Sequence, residues 1–412
     1  MRQNEESQAI YCNRPHSAEA TIPPTLLHPV FGQFLDDCET LETTPEDNSL
    51  TLGLHIAMST FYPDEKDRAS IIRNEFSEWG LTKTRFETYD DRYVKGHRCV
   101  ITEIKNEVCS TGAEPYSQAC LHYLESTRDF VGKMKGSSLP CMILLVIGSS
   151  ISFAGAAWNV RPVVQTLSSA LPMHYHPTDS DMRIKVARHL GAFRKAINAL
   201  EQYYQDLPSD FTSYPPQSQL FPHCTSFTSL QNGLVQHFEY ISQPFNEHLV
   251  FFAALSTPRA EPVCIKFARQ YSKDAHEVSA SLGHTPALRG FEKIPGGWLM
   301  IVMDKLPNQY AALFGSTPSS ALIKDIRNHL GLLHQRGYVH GDVRNTNIMV
   351  PRFDRTKFML VDFEWAGKGG EVRYPMNVNR GPDLWRPDDA VDGTLILPEH
   401  DIKMLDHIET WD

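Results

Sequence analysis

The residues whose types and spacing best suit chemistry are His340-Gly341-Asp342-Val343-Arg344-Asn345-Thr346-Asn347, which run into an apolar Ile348-Met349-Val350. An Asp with an Asn five residues on can orient an attacking hydroxyl with the first and reach a cation with the second. Twenty residues after Asp342, the apolar run Met359-Leu360-Val361 ends in Asp362, followed by Phe363 and Glu364. A carboxylate at the end of a strand is a hard oxygen ligand for a divalent cation. Asn347 and Asp362 would hold that cation while Asp342 steers the hydroxyl. Moving a phosphoryl group onto a hydroxyl needs this set. A turn role for Asp342 and a capping role for Asp362 would account for each alone, but not for both in this order and at this separation.

The upstream residues fit the same chemistry. Val263-Cys264-Ile265-Lys266-Phe267 resembles the V-A-I-K strand of kinases, which implies that Lys266 would hold the α- and β-phosphates of ATP. The helix expected over Lys273–Leu282 offers Glu277 as the acidic partner of Lys266, with His276 beside it as the alternative. Trp298–Leu306 resembles the kinase strand that leads to the hinge, which would set Asp304 near the adenine edge. The spacing H-x-D-x-x-x-x-N resembles the kinase catalytic loop, and Asp362 then stands at the metal-binding Asp of D-F-G. On that resemblance Arg344 steadies the transferred phosphoryl group, and the order of strands first and helices later suits a small lobe followed by a large one.

Departures from the kinase pattern carry information. Gly341 stands where H-R-D has Arg, so control by a phosphorylated activation loop is not expected. H-G-D and D-F-E look more like aminoglycoside and choline kinases. Leu249–Glu261 contains no glycine, which leaves phosphate cradling by backbone N–H groups in doubt. About fifty residues follow Asp362, which implies a shortened large lobe. Within them, His400-Asp401-Ile402 would open a helix whose Asp401 either braces the catalytic loop or merely caps the helix.

A second constellation lies upstream. Val100-Ile101-Thr102-Glu103-Ile104-Lys105 is an apolar strand ending in E-x-K, and alternation puts Glu103 and Lys105 on one face. Gln118 opens a helix fifteen residues after Glu103. This order resembles the PD-(D/E)XK nuclease core, in which an Asp and the Glu hold magnesium and the Lys assists water attack. Asp91 is the candidate for the missing Asp, with Asp90 as the alternative, and Glu75 is an acidic helix residue upstream.

These residues need elements to position them. Helical spacing runs through Ala69–Trp79 (Ile71, Ile72, Phe76 and Trp79, with Gly80 as a stop), around Tyr116–Leu124, and from Asp181 to Tyr204. A strand covers Cys99–Ile104. Leu139–Trp158 is apolar enough to suggest a membrane span, but Gly148-Ser149-Ser150 divides it, and a buried β-hairpin is expected. Four regions result: an acidic, loosely ordered leader over 1–50, a nuclease-like domain over 51–206, a Pro/Ser/Thr-rich linker over 207–232, and a kinase-like domain over 233–412. The net charge of −10 is concentrated in the leader, which holds 9 acidic and 2 basic residues, and residues 51–206 carry 18 basic against 17 acidic. No basic stripe for nucleic acid follows from that balance. Eight cysteines without paired spacing point to reduced thiols and an intracellular setting, cytoplasmic or nuclear.

From Leu52 onward the chain resembles fungal proteins that join a PD-(D/E)XK-like domain to a compact kinase-like domain, with relatives among Crinkler-type toxins and effectors. Glu103–Glu107, Lys266-Phe267 with Tyr271 and His276, Trp298–Met303, H-G-D-V-R-N-T-N, Asp362–Gly367, Arg373-Tyr374-Pro375 and His400–Leu405 carry this resemblance. It implies an α+β chain of two domains: a mixed sheet flanked by helices, then a compact bilobal kinase-like fold. The expected function is ATP- and magnesium-dependent phosphoryl transfer to a hydroxyl of a protein or small molecule. Lys266, Glu277, Asp304, Asn347 and Asp362 would bind the nucleotide and its metal. Asp91 and Glu103 would hold a second metal, with Lys105 beside them and DNA or RNA as a candidate partner. A pseudokinase regulating a nuclease, or a nucleic-acid scaffold without activity, are the alternatives.

Overall fold

The computed structural model describes residues 9–77, 82–83, 90–94, 96–107, 114–134, 136–208, 220–313, 318–380 and 384–410. They divide into two compact units, Met1–Cys224 with Pro295–Gly297, and Thr225–Ile294 with Trp298–Asp412.

The first unit opens with helices α1 (Pro24–Leu27), α2 (Pro29–Thr40), α3 (Pro45–Met58) and α4 (Glu65–Glu75). Most of the first three fall in the expected leader, which is therefore not loose over these residues. Proline begins each of α1 to α3, where its missing N–H would have had no helical partner anyway. Thr44 and Asp47 form a capping box on α3. Val30, Phe31, Phe34 and Cys38 recur at helical spacing and are buried. The acidic side chains that suggested disorder are paired instead: Asp37 with Lys195 at 2.9 Å and Asp47 with Arg194 at 2.9 Å. Ile72 of α4 and Phe76 just after it are buried and Ile71 is exposed, whereas Trp79 and Gly80 lie outside the described residues.

Strands β1 (Thr82–Lys83), β2 (Asp90–Val94) and β3 (His97–Lys105) precede α5 (Pro115–Thr127). Then come β4 (Cys141–Ile147), β5 (Ser150–Trp158), β6 (Pro162–Thr166), β7 (Leu171–Pro172) and the long α6 (Ser180–Asp206). The sheet order is β1-β2-β3-β4-β5-β6, with β7 also on β5. The pair β3·β4 is parallel, joined through α5, and the other pairs are antiparallel. As expected, β4 and β5 make an antiparallel hairpin that turns at Gly148. Among the described residues no helix is long and apolar enough to cross a membrane. Ile101 of β3 and Ile143 of β4 pack against Cys120 and Tyr123 of α5 on one face. On the other, Phe153 meets Phe34 of α2 and Phe193 of α6, with ring centroids 5.4 and 5.1 Å apart. With both faces covered, β3 is buried along nearly its whole length.

The second unit begins with β8 (Ser226–Thr228), so the expected linker ends sooner than residue 232; residues 209–219 lie outside the described set. Strands β9 (Val235–Ser242), β10 (Val250–Leu255) and β11 (Pro262–Ala268) lead to α7 (Lys273–Ser281), and β12 (Leu288–Ile294) and β13 (Trp298–Asp304) follow. They form an antiparallel sheet in the order β12-β13-β11-β10-β9-β8. Next are β14 (Tyr310–Ala312), α8 (Ser320–Gln335), β15 (Tyr338–Val339), β16 (Ile348–Pro351), β17 (Met359–Leu360), β18 (Gly367–Lys368) and α9 (Pro398–Thr410). Leu322, Ile326 and Leu330 of α8, Leu405 and Ile408 of α9, and Val343, Ile348, Leu360 and Phe363 share one core.

Candidate active site

Strand pairing brings the sequence-distant carboxylates of the second unit together. Ile348 of β16 pairs with Leu360 of β17, and Val361 N donates to Asn347 O at 3.0 Å. Asn347 and Asp362 therefore sit at the same end of one short hairpin. Asn347 Nδ2 donates to the carbonyl (2.9 Å) and to Oδ2 (2.8 Å) of Asp342, which turns the amide edge toward Asp342. Asp362 adopts φ +72°, a left-handed conformation that a non-glycine residue holds only under local constraint. The constraint comes from Phe363, which is fully buried and whose carbonyl accepts from Ser272 N at 3.0 Å.

The loop before Asp342 is braced from α9. Asp401 is buried and accepts from His340 N and Gly341 N, both at 2.8 Å, and from His334 Nε2 at 2.9 Å. Bracing is thus the role its side chain fills. Gly341 has φ +81°, and a Cβ there would meet Trp365 O and Ile396 Cδ1 at 2.9 Å. The H-G-D form follows from both the backbone conformation and the close approach. His340 Nε2 donates to Val361 O at 3.2 Å and its ring lies 5.0 Å from Phe363, linking the loop to the strand that ends in Asp362.

Lys266 projects from β11, registered between Val250 of β10 and Ile301 of β13. Its Nζ lies 2.7 Å from Asp362 Oδ1 and 2.7 Å from Glu364 Oε1. Burial opposes the ammonium charge, but the two carboxylates outweigh it and hold the Lys266 pKa above its ordinary value. For Asp362 burial raises the pKa, and Lys266 with its hydrogen bond reverses that, leaving the group below the usual carboxylate range. Glu364 stands above its usual value through burial, which Lys266 only partly offsets.

Glu277 does not partner Lys266. It lies 3.7 Å from Lys273 one turn back on α7, half exposed. His276 points inward but is also unsuited to the task. It accepts from Tyr271 OH at 2.6 Å, donates to Pro286 O at 2.7 Å, and burial lowers its pKa to about 4, so it is neutral near pH 7. Its ring packs at a tilt with its centroid 4.9 Å from that of Phe363, which pins α7 to the Asp362 turn by packing rather than by an ion pair. The second carboxylate on Lys266 is instead that of Glu364, at 2.7 Å.

Arg344 Nε approaches Asp342 Oδ2 at 3.0 Å without hydrogen-bond alignment. A residue that sequence reading missed makes the closer contact: Arg386 Nη2 lies 2.6 Å from Asp342 Oδ1. Arg386 belongs to no motif and pairs across 44 residues, so no local signal marks it. Asp304, at the end of β13, is engaged by Arg289 Nε at 2.5 Å, and its backbone N donates to Ala287 O. The turn that joins the first two long strands is Gln243–Leu249, which also has no glycine.

In the first unit β3 brings Glu103 and Lys105 together, with Glu103 Oε1 2.9 Å from Lys105 Nζ. Glu65 of α4, rather than Glu75, approaches Lys105, at 3.6 Å; the Glu75 carboxylate lies against Gly53. His122 of α5 is 3.6 Å from Glu103 Oε2. Burial, with help from the charges of Arg98 and Lys105, lowers the His122 pKa to about 4, so this approach is not an ion pair near neutrality. Glu103 is fully buried, and desolvation raises its pKa to about 7 against the lowering effect of Lys105. Neither of its oxygens has an aligned hydrogen bond, and Gln118 Oε1, one turn before His122 on α5, is also buried without one. Arg68 fixes the strand end: it is buried and binds Asn106 Oδ1 (3.0 Å), Gly148 O (2.7 Å) and Glu107 Oε1 (2.6 Å). Asp91 stands opposite Ile101, and Asp90 opposite Thr102, in the β2·β3 register. Their side chains lie outside the described set. Among the described residues no group of three or more His, Cys, Asp or Glu is arranged to hold a metal.

No protein-family model matches the chain. Over 109 residues, 25% of its length, it is 28% identical to the B1 kinase of vaccinia virus, of which the match covers 34%. The B1 kinase of monkeypox virus matches at 28% over 109 residues, 33% of that protein. The chain thus spans about a third of the length of the curated relatives it matches. Among solved structures, the Cydia pomonella granulovirus kinase PK-1 is 14% identical with a TM-score of 0.33, covering 42% of this chain and 75% of that one. Vaccinia related kinase 3 is 18% identical with a TM-score of 0.34, covering 48% and 69%. Those superpositions are too weak to bear on architecture. The sequence matches support a kinase-like stretch within the chain.

Proposed function

We propose that the C-terminal unit transfers the γ-phosphoryl group of ATP to a hydroxyl acceptor. The observation that carries the reading is the convergence of Lys266, Asp342, Asn347 and Asp362 from separate segments onto one end of the β16·β17 hairpin. Asp342 orients the acceptor hydroxyl, and Lys266 moves from its carboxylates to the α- and β-phosphates. Arg344 balances charge on the group in transit. Most of the acceleration then comes from positioning and charge neutralisation. Asp362 and the side-chain oxygen of Asn347 suit a hard divalent cation, and magnesium is the ion of choice; when bound, it neutralises phosphate charge. Glu364 keeps Lys266 extended when Asp362 is engaged elsewhere, the part that Glu277 was expected to play.

Isothermal titration of Mg·ATP against the wild type and Asp362→Asn tests the reading. Magnesium-dependent binding that disappears in the variant is the expected result. No binding at millimolar nucleotide would leave a kinase-like scaffold without the activity.

A second reading concerns the N-terminal unit as a PD-(D/E)XK-like, metal-dependent nucleic-acid site, coupled to the first in one intracellular protein. Glu103 favours it, a fully buried carboxyl with Lys105 Nζ 2.9 Å from Oε1. Metal-dependent DNA cleavage lost in Glu103→Ala is the corresponding measurement.

A further inference from the structure

The acceptor side of Asp342 carries more positive charge than a neutral hydroxyl requires. Arg344 and Arg386 both approach its one carboxylate, at 3.0 and 2.6 Å. Arg386 is fixed in place: its side chain is 1% exposed, Nε donates to Asn379 O at 3.0 Å, and the guanidinium lies 4.4 Å over the Trp365 ring. These contacts set its plane and leave Nη1 buried without a hydrogen-bond partner. Buried guanidinium donors are ordinarily satisfied. The same loop satisfies Arg380, whose Nη2 donates to the carbonyls of Pro387 and Ala390. An acceptor for Arg386 Nη1 that arrives with the substrate accounts for the difference.

We propose that Arg386 determines acceptor specificity, and that the acceptor is a hydroxyl compound bearing a phosphate or carboxylate a few bonds from the hydroxyl. This inference rests on the phosphotransfer reading above and names its substrate class. The two Nη atoms of a guanidinium project side by side, so an oxyanion on Nη1 brings its neighbouring hydroxyl to Asp342. The bond between the γ-phosphorus of ATP and its bridging oxygen breaks, and a new bond forms from that phosphorus to the acceptor oxygen. The hydroxyl proton leaves by way of Asp342 to solvent, and ADP departs with the bridging oxygen. The oxyanion on Arg386 is unchanged.

The test is isothermal titration on the full chain saturated with Mg·ADP. Glycerol 3-phosphate is compared with glycerol, and a serine peptide with a neighbouring phosphoserine is compared with its unphosphorylated form. The expected result is that at least one anionic probe binds about tenfold or more tightly than its neutral counterpart, the worth of one charge-assisted hydrogen bond. Preference for glycerol 3-phosphate assigns a small-molecule source, and preference for the phosphopeptide alone assigns a protein source. That preference falls below about twofold in Arg386→Met and persists in part in Arg386→Lys. The ratio of anionic to neutral affinity is the readout, because a purely structural role would move both together. Arg386→Lys serves alone if the Met variant does not fold, and a lysine variant with undiminished preference overturns the proposal. Equal affinities in a wild type that binds Mg·ADP also overturn it and leave phosphotransfer standing. If Mg·ADP itself does not bind, the phosphotransfer reading fails. Inorganic phosphate titrated against wild type, Arg386→Lys and Lys266→Met then decides whether Arg386 holds an anion, and equal affinity in all three overturns the site.

Discussion

Lys105 lies 2.9 Å from Glu103 and Lys266 lies 2.7 Å from Asp362, yet the two pairs are prepared for different work. Glu103 and Lys105 share one buried strand, and burial dominates: the carboxyl is raised to about pH 7, so near neutrality about half of it is protonated. Asp362 is only partly buried, faces a lysine from another segment and stays below the usual carboxylate range. A charge drawn from a distant element can be set at the angle and distance that keep an acid ionised. One from two residues along the same strand is limited by the pleat. The second unit therefore presents an ionised oxygen donor at pH 7, whereas the first gains one fully only above that pH.

Five substitutions would break or sharpen this contrast. The largest effect is expected for Asp342→Asn, which should lower phosphoryl transfer by about 10²- to 10⁴-fold while Mg·ATP still binds in titration. Retained transfer would remove Asp342 from the chemistry. Asp401→Ala strips the brace from two backbone N–H groups, and urea unfolding should report a loss of about 3 kcal/mol. A change under about 0.5 kcal/mol would mean the loop is held from elsewhere. Glu103→Gln acts through pH. The folded pKa of about 7 lies above the reference 4.5, so protonation favours the folded state and Glu103's contribution is complete below pH 4.5. It is lost as pH rises through 7, on the order of 3 kcal/mol. Hydrogen exchange on β3 peptides should show that decline in the wild type and a flatter profile in the variant. The smallest effect separates two glutamates: Glu364→Gln should weaken transfer about tenfold, and Glu277→Gln by less than about twofold. Equal losses would restore Glu277 to the nucleotide site.

What the sequence made legible was local. The spacing from Asp342 to Asn347, the strand ending at Asp362 and the E-x-K strand are fixed by a few consecutive bonds, and those residues meet as the spacing implies. Choices that depend on how an element rotates were not legible. Glu277 is on the anticipated helix, but α7 turns His276 inward and leaves Glu277 beside Lys273. Arg386 reaches Asp342 from a loop without periodicity, so only the folded chain identifies it. The early helices were hidden for another reason. Their prolines and acids resemble those of a disordered segment until Lys195 and Arg194, some 150 residues away, supply the opposite charge.

Gly341 has an evolutionary corollary. Glycine and arginine codons can differ by one nucleotide, so H-G-D would ordinarily sit a short mutational step from H-R-D. Here that step is closed, because position 341 holds φ +81° and has no room for even a first side-chain carbon against Trp365 and Ile396. To acquire an arginine there, a descendant lineage would first have to rebuild the turn after Phe363. An arginine at position 341 is thus excluded by backbone conformation as well as by space.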